Sequence, residues 1–294
     1  MTHHLLITDS GLGGLSVCAE TERALRRAEA PPVRITYFNA WPDEVSGYND
    51  MADLDERAVV FDRALTAMAA LKPECVVIAC NTLSIVYEHT AFRRSATVPV
   101  VGIVEAGVGL FVEALTAAPD ASVALFGTRT TIESEIHRSR LIERGIAPER
   151  IVAVACHGLA RAIEMEPDGE AIGNLVEQCT EAASRSMPAG DPLCLGICCT
   201  HYTYIREQMR ETLERHSRRA VQVLDPNDRL AADVVRQTVG TGRQGRGPAE
   251  TTVTVVSKVA MDERRRQSMA RRVRHVSPAT AEALLSYTRV PDLF

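Results

Sequence analysis

Short runs of apolar, often β-branched residues alternate along the chain with longer stretches whose apolar positions recur at helical spacing. The apolar runs are Leu5 to Thr8, Val33 to Phe38, Cys75 to Ala79, Val98 to Val104, Ser122 to Phe126, Ile151 to Ala155, Leu193 to Cys198 and Val221 to Leu224. Between them Thr21 to Ala28, Leu54 to Leu71, Thr131 to Arg144 and Glu170 to Ser186 carry charge and helical periodicity. The strand runs are continuous rather than alternating, which predicts strands covered on both faces in parallel sheets flanked by helices. Such sheets bind ligands outside the carboxyl ends of their strands, so those ends are where chemistry is sought.

Two of those ends resemble each other. Pro73-Glu74-Cys75-Val76-Val77-Ile78-Ala79-Cys80-Asn81-Thr82 matches Pro192-Leu193-Cys194-Leu195-Gly196-Ile197-Cys198-Cys199-Thr200-His201 at the proline and at both cysteines. Upstream, Ser10 precedes Cys80 by 70 residues and Thr128 precedes Cys199 by 71. Four elements in step point to duplication. The expected fold class is α/β: two similar parallel-sheet domains related by pseudo-twofold symmetry, with the active site in the cleft between them. The expected division is 1–97 completed by 207–294 for the first domain, and 98–206 for the second.

Composition narrows the function classes. With 294 residues, of which 46% are apolar, the chain can bury substantial cores. A net charge of −5 argues against broad nucleic-acid affinity, and the arginines from Arg264 to Arg274 read as a solvated helix face. The apolar stretch Val98 to Leu115 is interrupted by Glu105 and Glu113 and makes a poor membrane span. No export signal opens the chain, so a cytoplasmic protein without nucleic-acid or membrane partners is expected. Its eight cysteines, several inside apolar strands, are expected as reduced thiols. Lysine occurs only at Lys72 and Lys258, which leaves few candidates for a Schiff base with a cofactor. Neither a cofactor nor a metal is expected.

The candidate chemistry gathers at the strand ends. Cys80 and Cys199 each stand where a strand gives way to a helix start, whose amide N–H groups favour thiolate. Polar Asn81, Thr82, Thr200 and His201 follow at once, whereas Cys75, Cys194, Cys18 and Cys179 read as small buried hydrophobes. Asp9-Ser10-Gly11-Leu12-Gly13-Gly14 follows the first strand; as a phosphate loop it is weak, because Ser16 stands where a third glycine is needed and Asp9 repels phosphate. A helix cap is the plainer alternative. Two thiols at equivalent positions suit a reaction that removes a proton from one face of a carbon and returns one to the other. Asp9 and His201 are their natural polar partners.

These residues resemble the glutamate racemase branch of the aspartate/glutamate racemase family. Ile7 to Leu15 looks like the family's first motif, Ala79-Cys80-Asn81-Thr82 like its first cysteine motif, and Cys199-Thr200-His201-Tyr202 is similar to the second. Gly102-Ile103-Val104-Glu105, Gly127-Thr128 with Thr131, and Glu164 eight residues after Cys156 also match. The resemblance implies Cys80 and Cys199 as the acid/base pair, assisted by Asp9, Glu164 and His201. It further implies Ser10, Asn81, Thr82, Thr128, Thr131 and Thr200 as contacts to the substrate's carboxylate and ammonium, with Ser46 and Gly47 in the loop facing its side chain. The activity implied is cofactor-independent interconversion of L- and D-glutamate, the latter for peptidoglycan biosynthesis, on a small-molecule amino-acid substrate, with a homodimer as the assembly entertained. Departures lie at Ala40 and Val45-Ser46, where the family has an aspartate and a Pro-Tyr pair, and at Thr203, where it has proline. Those departures keep two alternatives open: a related two-thiol enzyme acting on aspartate, a hydantoin or another carboxylic acid, and a non-catalytic ligand-binding or regulatory homologue.

Overall fold

A computed structural model describes residues 2–28, 30–165, 169–188, 190, 192–240 and 251–294. In chain order the strands are β1 (His3–Asp9), β2 (Val33–Asn39), β3 (Cys75–Ile78), β4 (Val100–Gly102), β5 (Ser122–Gly127), β6 (Ile151–Ala155), β7 (Leu193–Cys198), β8 (Val221–Leu224), β9 (Thr251–Ser257) and β10 (Thr288–Arg289). The helices are α1 (Leu15–Arg27), α2 (Leu54–Ala70), α3 (Asn81–Tyr87), α4 (Phe92–Ser95), α5 (Ile103–Ala117), α6 (Arg129–Glu133), α7 (Ile136–Glu143), α8 (Leu159–Met165), α9 (Glu170–Ser186), α10 (Arg206–Ser217), α11 (Pro226–Gly240), α12 (Glu263–Arg274) and α13 (Pro278–Leu285). The chain divides into two compact units, Met1–Ile103 with Leu230–Phe294, and Val104–Arg229.

The first unit is built on a parallel sheet of order β10-β9-β2-β1-β3-β4. Leu6, Phe38, Val76 and Ile78 turn one way from it and bury against Phe61, Leu65 and Met68 of α2 and Leu83 and Val86 of α3. Ile7, Ile35, Tyr37 and Val77 alternate with them and are equally buried, which is why these strands read as unbroken apolar runs. Each large side chain taken from water this way contributes roughly 1.5–3 kcal/mol.

The second unit has a parallel sheet of order β6-β5-β7-β8. Ala124, Phe126, Leu193, Leu195 and Ile197 pack against Ile163 of α8, Ile172 and Val176 of α9, and Met209 and Leu213 of α10. The order β2-β1-β3-β4 of the first sheet and β6-β5-β7-β8 of the second are the same order, so the repeat seen around the cysteines is a repeat of topology.

Three expectations differ in detail. The second unit runs past Arg206 to Arg229, because β8 pairs with β7 (Leu193↔Val221) and α10 packs on α9. The apolar run Val98 to Val104 is a strand only at Val100–Gly102; Ile103 already opens α5, whose Glu105 and Glu113 lie on its exposed side. Thr131 to Arg144 is two helices, broken where Glu135 takes a left-handed conformation (φ 54°). No helix among the described residues is long and apolar enough to cross a membrane.

Candidate active site

At the end of β1 the chain makes a tight turn before α1. Asp9 is fully buried there and its Oδ1 accepts from the Gly11 N–H (2.9 Å), while the Tyr37 hydroxyl donates to the Gly11 carbonyl (2.7 Å). Helix α1 begins after Gly14, with no side-chain cap, so Asp9 and Ser10 belong to the turn and leave the helix end to the backbone. Gly14 is where the turn crosses the sheet: a Cβ there would lie 2.8 Å from Asp9 Cβ and 2.9 Å from Ala79 Cβ.

The pairing of Thr8 with Ile78, carried two residues on, brings Ser10 beside Cys80, and Ser10 Oγ lies 3.3 Å from Cys80 Sγ. Cys80 is buried and caps α3, its sulfur accepting from the Leu83 N–H at 3.5 Å. The expected preference for thiolate at this helix start is overturned. Burial pushes the Cys80 thiol up and the Asp9 charge adds to it; the bonds from Ser10 and Leu83 act the other way, and the outcome is about 12. Asn81 follows, buried, with both side-chain polar atoms lacking a hydrogen-bond partner, and Thr82 is buried beside it.

The second cysteine has different company. Residues Thr200–Ile205 form a 3-10 turn, and Cys199 takes no capping bond from it. The sulfur lies 3.8 Å from His201 Nδ1, and His201 Nε2 lies 2.5 Å from Glu164 Oε1 at the end of α8, all three side chains buried. Burial works against a charged imidazole, yet the Glu164 carboxylate, the hydrogen bonds to Cys199 and Glu164, and the charge of the Cys199 sulfur hold His201 well above the usual histidine value. The Tyr202 hydroxyl donates to the Cys156 carbonyl (3.1 Å), tying the turn to the segment that leads into α8.

Pairing of Gly127 with Cys198 sets Thr128 next to Cys199, as Ser10 is set next to Cys80. Thr128 caps α6 through the Thr131 N–H (3.4 Å), and the two hydroxyls are 3.0 Å apart. The backbone of Thr200 is held from the end of β8, where Asn227 Nδ2 donates to its carbonyl (3.3 Å) and to Thr203 Oγ1 (2.8 Å). Thr203 in turn donates to Asp225 Oδ1 (3.1 Å), and Arg206 donates to Asp225 Oδ2 (2.9 Å). A proline at 203 has no hydroxyl for either bond, so this departure from the family pattern carries a bracing role of its own.

In the other departing loop, Asp43 accepts from the N–H groups of Val45 and Ser46 (2.7 Å each) and from Ser46 Oγ (2.9 Å). The Gly47 N–H is taken by Asp50 Oδ2 (2.8 Å). Ser46 and Gly47 thus spend these donors inside their own loop, while Ala40 is buried in the apolar cluster that holds Cys80. Glu44 pins the loop by accepting from the Ala260 N–H (2.9 Å) and Arg289 (3.0 Å).

The structure therefore groups Asp9, Ser10, Cys80, Asn81 and Thr82 in the first unit, and Thr128, Thr131, Glu164, Cys199, Thr200 and His201 in the second. Sequence reasoning did not single out Asp225 or Asn227. A signal existed in Asp225-Pro226-Asn227-Asp228, a polar string at a strand end. All eight cysteines are free thiols. Among the described residues no group of three or more His, Cys, Asp and Glu side chains is arranged to hold a metal ion.

Comparison with known proteins covers both groups. The family model described as Asp/Glu/Hydantoin racemase matches residues 6–234. A glutamate racemase of Chlorobium phaeobacteroides is 30% identical over 227 residues, 76% of this chain and 76% of its own length. One from Jannaschia sp. is 32% identical over 231 residues, 70% of this chain and 76% of that protein. Among solved structures, a glutamate racemase isoform from Bacillus anthracis superposes with a TM-score of 0.68 at 19% identity, over 98% of this chain and 95% of that one. A glutamate racemase from Francisella tularensis, solved with D-glutamate, gives 0.68 at 16% identity with the same coverage. At such identities the likeness is one of fold.

Proposed function

The chain belongs to the Asp/Glu/Hydantoin racemase family, and from that premise we propose that it racemises an acidic amino acid, glutamate foremost, with Cys80 and Cys199 as the proton-transferring pair. One observation carries the reading: two buried cysteines stand at corresponding strand ends of a repeated topology, and each has its own set of proton-handling neighbours. In each direction one sulfur, as thiolate, takes the α-proton from one face of the substrate. The other, as thiol, gives a proton to the opposite face, so the two exchange roles when the reaction reverses. A single base would return the proton to the face it left.

Cys80, with a thiol that burial and Asp9 keep protonated, is the ready donor. His201, held as imidazolium by Glu164, is poised to pass a proton to the Cys199 sulfur or to balance its charge. Ser10, Asn81, Thr82, Thr128, Thr131 and Thr200 supply hydroxyl and amide groups for the substrate's carboxylate and ammonium, and the orphaned amide of Asn81 is an unspent hydrogen-bonding group of the required kind. Ser46 and Gly47 shape the loop at the side-chain end.

A second reading, in which aspartate or a hydantoin-type acid is preferred, is favoured by that loop, since Ala40 offers no polar group and the donors at 45–47 are engaged. The test is deuterium incorporation at Cα in heavy water over a panel of D- and L-amino acids. Exchange with both enantiomers of glutamate, faster than with aspartate, is expected. A faster aspartate reaction selects the second reading, and absence of exchange with every acid removes both.

A further inference from the structure

The two cysteines are held by different means. Cys80 stands at the start of α3 and takes the Leu83 N–H on its sulfur, so a regular helix fixes it. Cys199 opens the 3-10 turn Thr200–Ile205, a form with poorer hydrogen bonds, and its sulfur takes no cap from that turn. Support comes instead from the end of β8. Gly196 pairs with Leu224, and the same register carried three residues on brings Asn227 level with Cys199. Asn227 is 1% exposed, and its amide donates to the Thr200 carbonyl (3.3 Å) and to Thr203 Oγ1 (2.8 Å). The Thr203 hydroxyl donates to Asp225 Oδ1 (3.1 Å), which also accepts the Asn227 backbone N–H (3.0 Å), so the bonds close into a ring. A carbonyl can only accept, so the bond to Thr200 fixes which way the amide faces. Arg206 anchors the other oxygen of Asp225 (2.9 Å).

We propose that Asn227 and Thr203 are positioning residues for the Cys199 half of the reaction, holding the Thr200–His201 peptide so that the Cys199 sulfur and the His201 imidazole keep one fixed geometry. The Thr200 carbonyl lies in the plane of that peptide, which joins the residue after Cys199 to His201. Tilting the plane therefore moves the sulfur against its proton partner. At 3.8 Å the contact from Cys199 Sγ to His201 Nδ1 is already long, and His201 is tied on its far side to Glu164, so a small displacement separates the pair. Cys80 has its own helix and does not depend on these bonds, so their loss should fall on one face of the substrate. Because Cys199 transfers protons only in the racemase proposed above, the positioning role rests on that reading.

Thr203→Val keeps the branched shape and removes the hydroxyl, Thr203→Ser keeps the hydroxyl, and Asn227→Ala removes both amide bonds. The substrate is the acidic amino acid that the wild type racemises fastest. For Thr203→Val and Asn227→Ala the expected result is a kcat lowered roughly 10- to 100-fold with KM within about threefold, the scale of a displacement of about 1 Å in a reacting group. Thr203→Ser is expected within about threefold of wild type in both. In heavy water the two slowed variants should exchange deuterium into one enantiomer with retention, in excess over wild type, because Cys80 still works on its own face. An excess with both enantiomers or with neither overturns the assignment, as does an unchanged kcat. So does a Thr203→Ser as slow as Thr203→Val, which would deny the hydroxyl its part. A lowered unfolding temperature with kcat retained, or failure of both slowed variants to fold, would make the bonds structural and overturn it as well. If the wild type exchanges no deuterium into any acidic amino acid, the racemase reading falls and takes the positioning role with it; if the wild type exchanges and the variants match it, only Asn227 and Thr203 are wrongly assigned.

Discussion

Cys80 and Cys199 occupy equivalent places in the repeat and meet opposite electrostatics. The first has a buried carboxylate, Asp9, and a hydroxyl; the second has an imidazole backed by a carboxylate. Under the two-thiol reading, replacing either cysteine by alanine lowers racemisation by about 10³-fold or more, the usual scale for a lost acid or base. The surviving thiol is expected to exchange solvent deuterium into one enantiomer only, and a double variant that racemises at the wild-type rate would refute the mechanism. The His201 environment gives a pH prediction. Its raised pKa keeps the imidazolium present through neutrality, and the proton is lost on the alkaline side. Glu164→Gln removes the charge that opposes this loss, so the alkaline limb of kcat/KM should move to lower pH; an unmoved limb would show that His201 does not govern it.

At the scale of the element, the β1-turn-α1 unit carries Asp9 and Ser10 to Cys80 by close approach. Gly14 has ordinary helical torsions (φ −66°, ψ −5°), so what requires glycine is space. A methyl there would meet Asp9 Cβ at 2.8 Å, Ala79 Cβ at 2.9 Å and Asp9 Oδ2 at 3.0 Å, atoms fixed by the sheet. Gly14→Ala is expected to cost about 1–3 kcal/mol, seen in denaturant unfolding, and to lower kcat by displacing Asp9. Gly196→Ala in β7 is the comparison. Its methyl would meet Leu125 Cδ2 at 2.8 Å, the far end of a flexible side chain, so a smaller loss is expected there. Equal losses at the two positions would contradict the argument from rigidity.

For the molecule as a whole, His137 of α7 links stability to pH. It is buried beside the Phe111 ring, neither ring nitrogen has a partner, and burial lowers its pKa from 6.5 to about 4. The unfolded chain therefore binds a proton that the folded chain refuses. The neutral side chain does no harm above pH 6.5; stability then falls as the pH drops from 6.5 and levels off below about 4, a loss of about 3 kcal/mol. In His137→Leu that component should vanish, so urea midpoints of variant and wild type should diverge between pH 7 and pH 4.5. Parallel pH dependences would rule His137 out as a source of acid lability.

How much of this was legible in the chain alone differs by scale. Parallel strands covered on both faces must be apolar throughout, so their positions, the cysteines at their ends and the duplication stood in the sequence. Identical apolarity hid α5, because Val98 to Leu115 reads alike as strand or buried helix until length and surroundings decide. Local reasoning also gave Cys80 a helix-start thiolate, a contribution that is present through Leu83 but is outweighed by burial and by Asp9, which the chain brings from 71 residues away. The bracing of Thr200 by Asn227, the occupation of the loop donors by Asp43 and Asp50, and the orphaned hydroxyl of Tyr48 depend on which polar groups find partners after folding. Sequence by itself determined the strands and their reactive ends, because these follow from burial periodicity and residue type. Only tertiary structure decided the protonation of those ends and which donors remain free, because both are set by desolvation and by contacts between residues distant along the chain.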